Sequence, residues 1–542
     1  MVTWLPLILA CTTNDITDET PDIEAPAEDT AATVEEEPAE LDAIRLLSRA
    51  SLDLRGVRPS LDELSAVRSD PSSVTTLVES FLDDPRLSDR VVALFSEIYQ
   101  TQSDTPLVKY ASDDYPALAE AMGEEPLRIV AHIAVNDLPY TEVVTADWTM
   151  ATPELASVWP LSYPDGAEGW QPASYTDDRP SAGVLSTNSL WWRYTSTLAN
   201  ANRGRANAVS RILLCSDYLS RPIDFDRDVD LLDEGAITEA LRTNEGCVGC
   251  HNTLDPLASY LWGFYYTSAV AVDAGYYHPE REQWWAEQDG LAPSFYGEPS
   301  YTLEDLGEQL AADPRLVSCV TEQVFTQLLQ RDAGIGDMDT LTALRESFLD
   351  EGLLLRTLLR EVVLGEAYRS LDPDVGTPYK LTRPAMLASA LEDLTGYRFT
   401  ADDFDMMTTD TVGLRTLAGG IDGGFVTAPA TDVNATMALV YERLAQAAAR
   451  SVVAHDKAHP DEARLFTEIG FTETPEQGTG AMATQLQRLH LRLLGAEVEL
   501  DGVEIEANLT LWSDLYALEG DPAAAWSGLL SVLLRDPDFL FY

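Results

Sequence analysis

The sequence is short of positive charge. It carries 35 lysine and arginine residues against 91 aspartate and glutamate, a net charge of −56 at pH 7. A surface this negative repels phosphate backbones and anionic headgroups, which sets nucleic-acid binding aside. Basic partners and divalent cations are the charges it would attract, although solubility alone accounts for the same excess. Cysteine is scarce as well. Five in 542 residues are too few for a scaffold held by disulfides. No run approaches the roughly eighteen apolar residues of a membrane span. The HExxH, GxSxG, P-loop and GxGxxG patterns are missing, so zinc-peptidase, serine-hydrolase and nucleotide-binding classes have no motif to stand on. Gly334-Ile-Gly336 lacks a third glycine and a strand ahead of it, and reads as a turn.

What is present begins at the N-terminus. Residues Leu5 to Ala10 are apolar and end at Cys11, and Ile8-Leu9-Ala10-Cys11 is similar to the bacterial lipobox, whose cysteine is lipidated after cleavage. The basic start and longer apolar region of a secretory signal are missing, which points to a start inside a longer signal. A buried N-terminal strand or helix is the competing reading. Thr12 to Glu40 is rich in Asp, Glu, Thr, Pro and Ala with almost no large apolar side chain. Such a stretch cannot bury enough surface to offset its ordering entropy and reads as a disordered tether. An apolar signal, a cysteine and an acidic tether together predict a lipoprotein on the outer membrane. Its body would lie in the periplasm or at the cell surface, meeting the membrane through its lipid anchor only.

A chain of this length exceeds one core and is expected to form several domains. From Leu41 the apolar spacing is mostly helical, as in Val320, Val324, Phe325, Leu328 and Leu329. Ser60 is a helix N-cap with Glu63 at the capping-box position. The fold class expected is mainly α, multi-domain, with long ordered loops and few or no strands. The divisions read from the sequence are a signal over 1–10, an acidic tether over 11–40 and a helical domain over 41–150. A loop-rich segment over 151–235 follows, then a cytochrome c-like segment over 236–300 and helical domains over 301–370 and 371–542. Trp159, Tyr163, Trp170 and Tyr175 mark an aromatic-pinned loop from about Ala151 to Pro180; Trp284, Trp285 and Tyr296 mark another from His278 to Pro299. Arg45 to Gly56 is faintly echoed by Leu381 to Gly396, each a helix ended by glycine, with a linker at Asp372 to Pro378 before the second copy. Gly419 to Gly424 reads as a flexible loop.

Glu245-Gly-Cys247-Val-Gly-Cys250-His251 carries the most chemistry. In c-type attachment two thiols add across the haem vinyl groups and the adjacent histidine becomes an axial iron ligand, so one haem c is expected on Cys247, Cys250 and His251. Gly246 and Gly249 leave room for the macrocycle. A plain disulfide, a redox dithiol and half a zinc site compete. Zinc wants four ligands, and no second Cys/His pair stands at finger-like spacing. A redox dithiol opens a helix in a βαβ setting that is not evident. The second axial ligand is open, with His278, Met338 and Met150 as candidates. Tyr260, Trp262, Phe264, Tyr265 and Tyr266 suit either porphyrin faces or a core. Asp224, Asp226, Asp228, Asp230 and Asp233 begin like a calcium loop, but Val229 and Gly235 stand where Gly and Glu are needed, so a solvated charge run is favoured. His455 and His459 share a helix face without an evident partner and read as surface residues.

At Cys247-Val-Gly-Cys250-His251-Asn-Thr-Leu-Asp255-Pro256 the chain resembles large planctomycete and myxobacterial multi-domain proteins of unknown function that carry a cytochrome c-type CxxCH motif. Leu138 to Trp148, Arg179 to Thr187 with Arg203-Gly204, Leu310 to Arg369, Leu381 to Gly396 and Leu529 to Tyr542 resemble further segments of that group. Arg45 to Leu64 is similar to the opening of a neighbouring family. The resemblance implies haem, export and a helical fold, and no reaction. It also implies a disulfide between Cys215 and Cys319, against two buried free thiols. Electron transfer to an unknown redox partner is the leading functional reading. A peroxidase-like haem oxidoreductase acting outside the cell is the second. A haem-free binding or scaffold protein with a Cys247–Cys250 disulfide is the third.

Overall fold

The computed structural model describes residues 40–102, 115–221, 229–230, 232–264, 277–288, 290–401, 404–409 and 413–542. Cys11, nearly all of the tether, Tyr265, Tyr266 and the Asp224–Asp228 run lie outside them. The architecture is mainly helical. Among the described residues strands occur only as three two-stranded antiparallel pairs: Thr149–Ala151 with Gln171–Ala173, Ser294–Phe295 with Glu298–Pro299, and Thr400–Ala401 with Phe404–Asp405.

Local chemistry sets the helix ends. Ser60 Oγ accepts from the Glu63 N–H at 3.2 Å while Glu63 Oε2 accepts from the Ser60 N–H at 2.7 Å, closing the capping box that starts the Leu61–Ser69 helix. Arg55 donates to both Glu63 oxygens and lays its guanidinium 3.6 Å from the Phe81 ring centroid. The two echoing segments form the Ala43–Arg55 and Pro384–Thr395 helices. Each ends on a left-handed glycine, Gly56 at φ 72° and Gly396 at φ 67°. They also meet, because Leu52 packs with Met386 and Ala390.

Residues 39–542 make one compact unit. Its largest apolar cluster runs from Leu46 to Tyr368 and the second from Leu381 to Leu540. A polar knot ties the Ala43–Arg55 helix to Tyr542 and to the stretch from Tyr368 to Lys380. Buried Arg49 donates to the carbonyls of Tyr368, Pro378 and Tyr542. Buried Asp53 accepts from Lys380 Nζ, the Tyr368 hydroxyl and, at 2.7 Å, the Tyr542 hydroxyl.

The aromatic loop is ordered by a buried carboxylate. Glu125, on the Tyr115–Val135 helix, is fully buried. It accepts from Thr149 Oγ1, the Tyr175 hydroxyl, and the Ser189 N–H and Oγ. Burial pushes its carboxyl up, and four donors supply the hydrogen bonds lost from water. The 151–235 segment also forms the Arg203–Leu214 helix, whose end at Cys215 is joined to Cys319 of the Pro314–Leu329 helix by a disulfide.

Candidate functional site

Asn244 caps the Glu245–Ser259 helix, its side chain accepting from the Gly246 N–H at 3.0 Å. The helix thus starts two residues before the first cysteine of the CxxCH run and holds all of it. Positions three and four apart lie on one helix face, so Cys247, Cys250 and His251 form a single stripe that continues to Asp255. Both thiols are free and half-buried. Gly249, two positions from both Cys247 and His251, faces away from this stripe, and a Cβ there would meet nothing within 4 Å. Two unbonded thiols and an imidazole on one helix face are the donor set that covalent haem attachment requires.

The stripe is braced on its far side. His251 Nδ1 lies 2.9 Å from Asp255 Oδ1. Asp255 in turn receives a two-pronged bond from Arg203, Nε to Oδ1 at 2.7 Å and Nη2 to Oδ2 at 2.9 Å. Burial alone raises the Asp255 carboxyl, but the bonds from His251 and Arg203 outweigh it and leave the group below the usual aspartate value. A second tether joins the Tyr218 hydroxyl to Thr253 Oγ1 at 2.8 Å, and a third runs from Ser259 Oγ to the Leu291 carbonyl at 2.7 Å. The principal neighbours of this helix are Glu234–Thr243, Arg203–Leu214 and the Ser294–Phe295 strand.

The candidates for a second axial ligand fall in different places. His278 is tied to the turn that follows the helix: its N–H donates to the Gly263 carbonyl at 2.8 Å, and its Nδ1 lies 3.3 Å from Glu280. Met150 is buried in the main apolar cluster, on the strand paired with Gln171–Ala173. Met338 is half-exposed at the start of the Met338–Asp350 helix, which packs against Pro314–Leu329 and Leu355–Leu364. Tyr260, Trp262 and Phe264 are buried, with Phe264 lying against Trp191 and Tyr277. Asp233 caps the Glu234–Thr243 helix. His455 and His459 lie with ring centroids 5.3 Å apart, His455 bonding to Asp456. Among the described residues no group of three or more His, Cys, Asp or Glu side chains is arranged to hold a metal ion.

Sequence reasoning missed one feature outright. A cavity of about 720 Å³ is lined by Glu97, Glu124, Arg128, Arg383, Arg398 and Arg415 among others. Arg128 pairs with Glu124 at 2.7 Å and Arg383 with Glu97 at 3.3 Å. Its walls come from segments some 300 residues apart, and no local pattern announces them. The partnership of Arg203 with Asp255 was missed for the same reason, although each residue lies in a stretch that carries the resemblance.

Residues 60–161 match the family described as PSD4, a protein of unknown function (DUF1592). The match starts at the capping serine and ends within the aromatic loop, and includes Glu125 and its donor Thr149. No curated protein and no solved structure matches the chain.

Proposed function

We propose that this chain is an exported, lipid-anchored c-type haem protein that transfers electrons outside the cytoplasm. Cys247 and Cys250 would hold the ring and His251 would ligate the iron. The observation that carries the reading is the single helix face on which two free thiols and an imidazole stand together. Haem, when bound, supplies a one-electron couple that no side chain here offers. The chain's part is to orient His251 through Asp255 and to hold the helix at Arg203, Tyr218 and Ser259. The acidic surface suits a basic redox partner. Cys11 would carry the lipid, and the body would stand in the periplasm or at the cell surface.

Purification from a host that performs cytochrome c maturation, followed by a pyridine haemochrome assay and intact mass, tests this directly. One haem per chain is expected, with loss of covalent haem in Cys247→Ala/Cys250→Ala. A wild-type chain whose mass shows no haem adduct after such expression ends the proposal.

A further inference from the structure

We infer that Asp255 and Arg203 together set how strongly His251 donates to iron, and so tune the redox equilibrium of the site in opposite directions; this rests on the haem reading above. The geometry is specific. An ionised carboxylate can only accept, so the 2.9 Å contact with Asp255 places the imidazole hydrogen on Nδ1 and leaves Nε2 as the lone-pair nitrogen. Among the described residues no hydrogen bond engages Nε2. Asp255 sits one turn below His251 on the same helix, which fixes the ring about its Cβ–Cγ bond as well as its tautomer. A carboxylate behind a ligating histidine gives the ring anionic character and raises its basicity. That favours the more positive, oxidised metal.

Arg203 opposes this. Its guanidinium grips both Asp255 oxygens, drawing charge away from the bond to His251. Asp255 is itself a half-buried side chain at 16% exposure, where such a contact is screened far less than at the surface. The pair therefore works as a graded device: Asp255 pushes electron density toward the ring and Arg203 limits the push. Both residues are positioning residues, since neither would touch the cofactor.

The test is the midpoint potential of the holoprotein. Asp255→Asn keeps an oxygen to accept from Nδ1–H and removes the charge. It should keep covalent haem and shift the reduction equilibrium about tenfold toward the reduced form, ~59 mV upward for one electron. Arg203→Gln leaves the carboxylate less neutralised and should move the potential downward. Opposite signs separate tuning from simple loosening, which would move both variants the same way. Unchanged potentials, or shifts of the same sign in both, overturn the inference while leaving the haem reading intact. If Asp255→Asn fails to fold or to retain haem, the sign measured for Arg203→Gln decides alone. A wild type without haem overturns the reading and this inference together.

Discussion

At the scale of single residues, one buried acid and one buried base are held in the interior by pairing with each other. Asp53 and Lys380 are 3% and 1% exposed and bonded to each other. Burial lowers the Lys380 ammonium to about 7 against the pull of Asp53. Lys380→Met would remove the ammonium bonded to the buried Asp53 carboxylate, leaving it the hydrogen bonds from the Tyr368 and Tyr542 hydroxyls and the more distant charges of Arg49 and Arg90. The expected cost is about 3–5 kcal/mol, read as a fall in the urea midpoint, and Lys380→Met/Asp53→Asn should recover most of it. A single-variant loss below about 1 kcal/mol would show that the ion pair is dispensable. The pH dependence has a definite sign. The unfolded chain keeps the lysine proton to about 10.4, so between about pH 7 and that value it binds more protons than the folded state. Wild-type stability should therefore gain on that of Lys380→Met as pH rises through this window.

At the scale of elements, close backbone approach decides what a position tolerates. Gly183 has φ +53°, and a Cβ there would stand 2.2 Å from the Val143 carbonyl oxygen. It opens the short 3-10 turn Gly183–Ser186, whose first N–H donates to the Ala146 carbonyl at 3.0 Å. Gly169, also at positive φ, has nothing within 4 Å of such a Cβ. Gly183→Ala should cost several kcal/mol, because strain adds to a clash with backbone that cannot turn aside. Gly169→Ala should cost about 1 kcal/mol, from its left-handed backbone alone. Thermal midpoints of the two variants, compared with wild type, rank them, and equal shifts would refute the steric account.

Across the whole molecule, covalent and electrostatic terms oppose each other. The Cys215–Cys319 bond closes a loop of 104 residues that contains the CxxCH helix. In the chain-entropy account such a bond stabilises by roughly 4–5 kcal/mol, so Cys215→Ser/Cys319→Ser should lower the unfolding midpoint markedly, and reduction of the wild type should mimic it. No change on reduction would mean that the crosslink is energetically idle. The charge of −56 acts the other way, through self-repulsion of the compact state. Raising ionic strength from about 10 mM to about 150 mM shortens the screening length from about 30 Å to about 8 Å and should raise the melting temperature. A fall in melting temperature would show instead that surface ion pairs outweigh the repulsion.

Much of this was open to sequence reading where the signal is local. Ser60 and Glu63 stand three apart, and that spacing is itself the capping box. Helical periodicity and terminal glycines marked the Ala43–Arg55 and Pro384–Thr395 helices, and CxxCH placed two thiols and an imidazole within five residues. Such features follow from sequence alone because a helix turn closes over four residues, whatever the rest of the chain does. The tertiary structure decided everything that needs partners far apart in the chain. These include the grip of Arg203 on Asp255 across 52 residues, the meeting of Asp53 with Lys380 across 327, and the cavity between Glu97, Glu124 and Arg383. A charged side chain in the sequence does not say whether it will be solvated or buried. Only packing removes the water, and the loss of water is what makes each of these residues need the other.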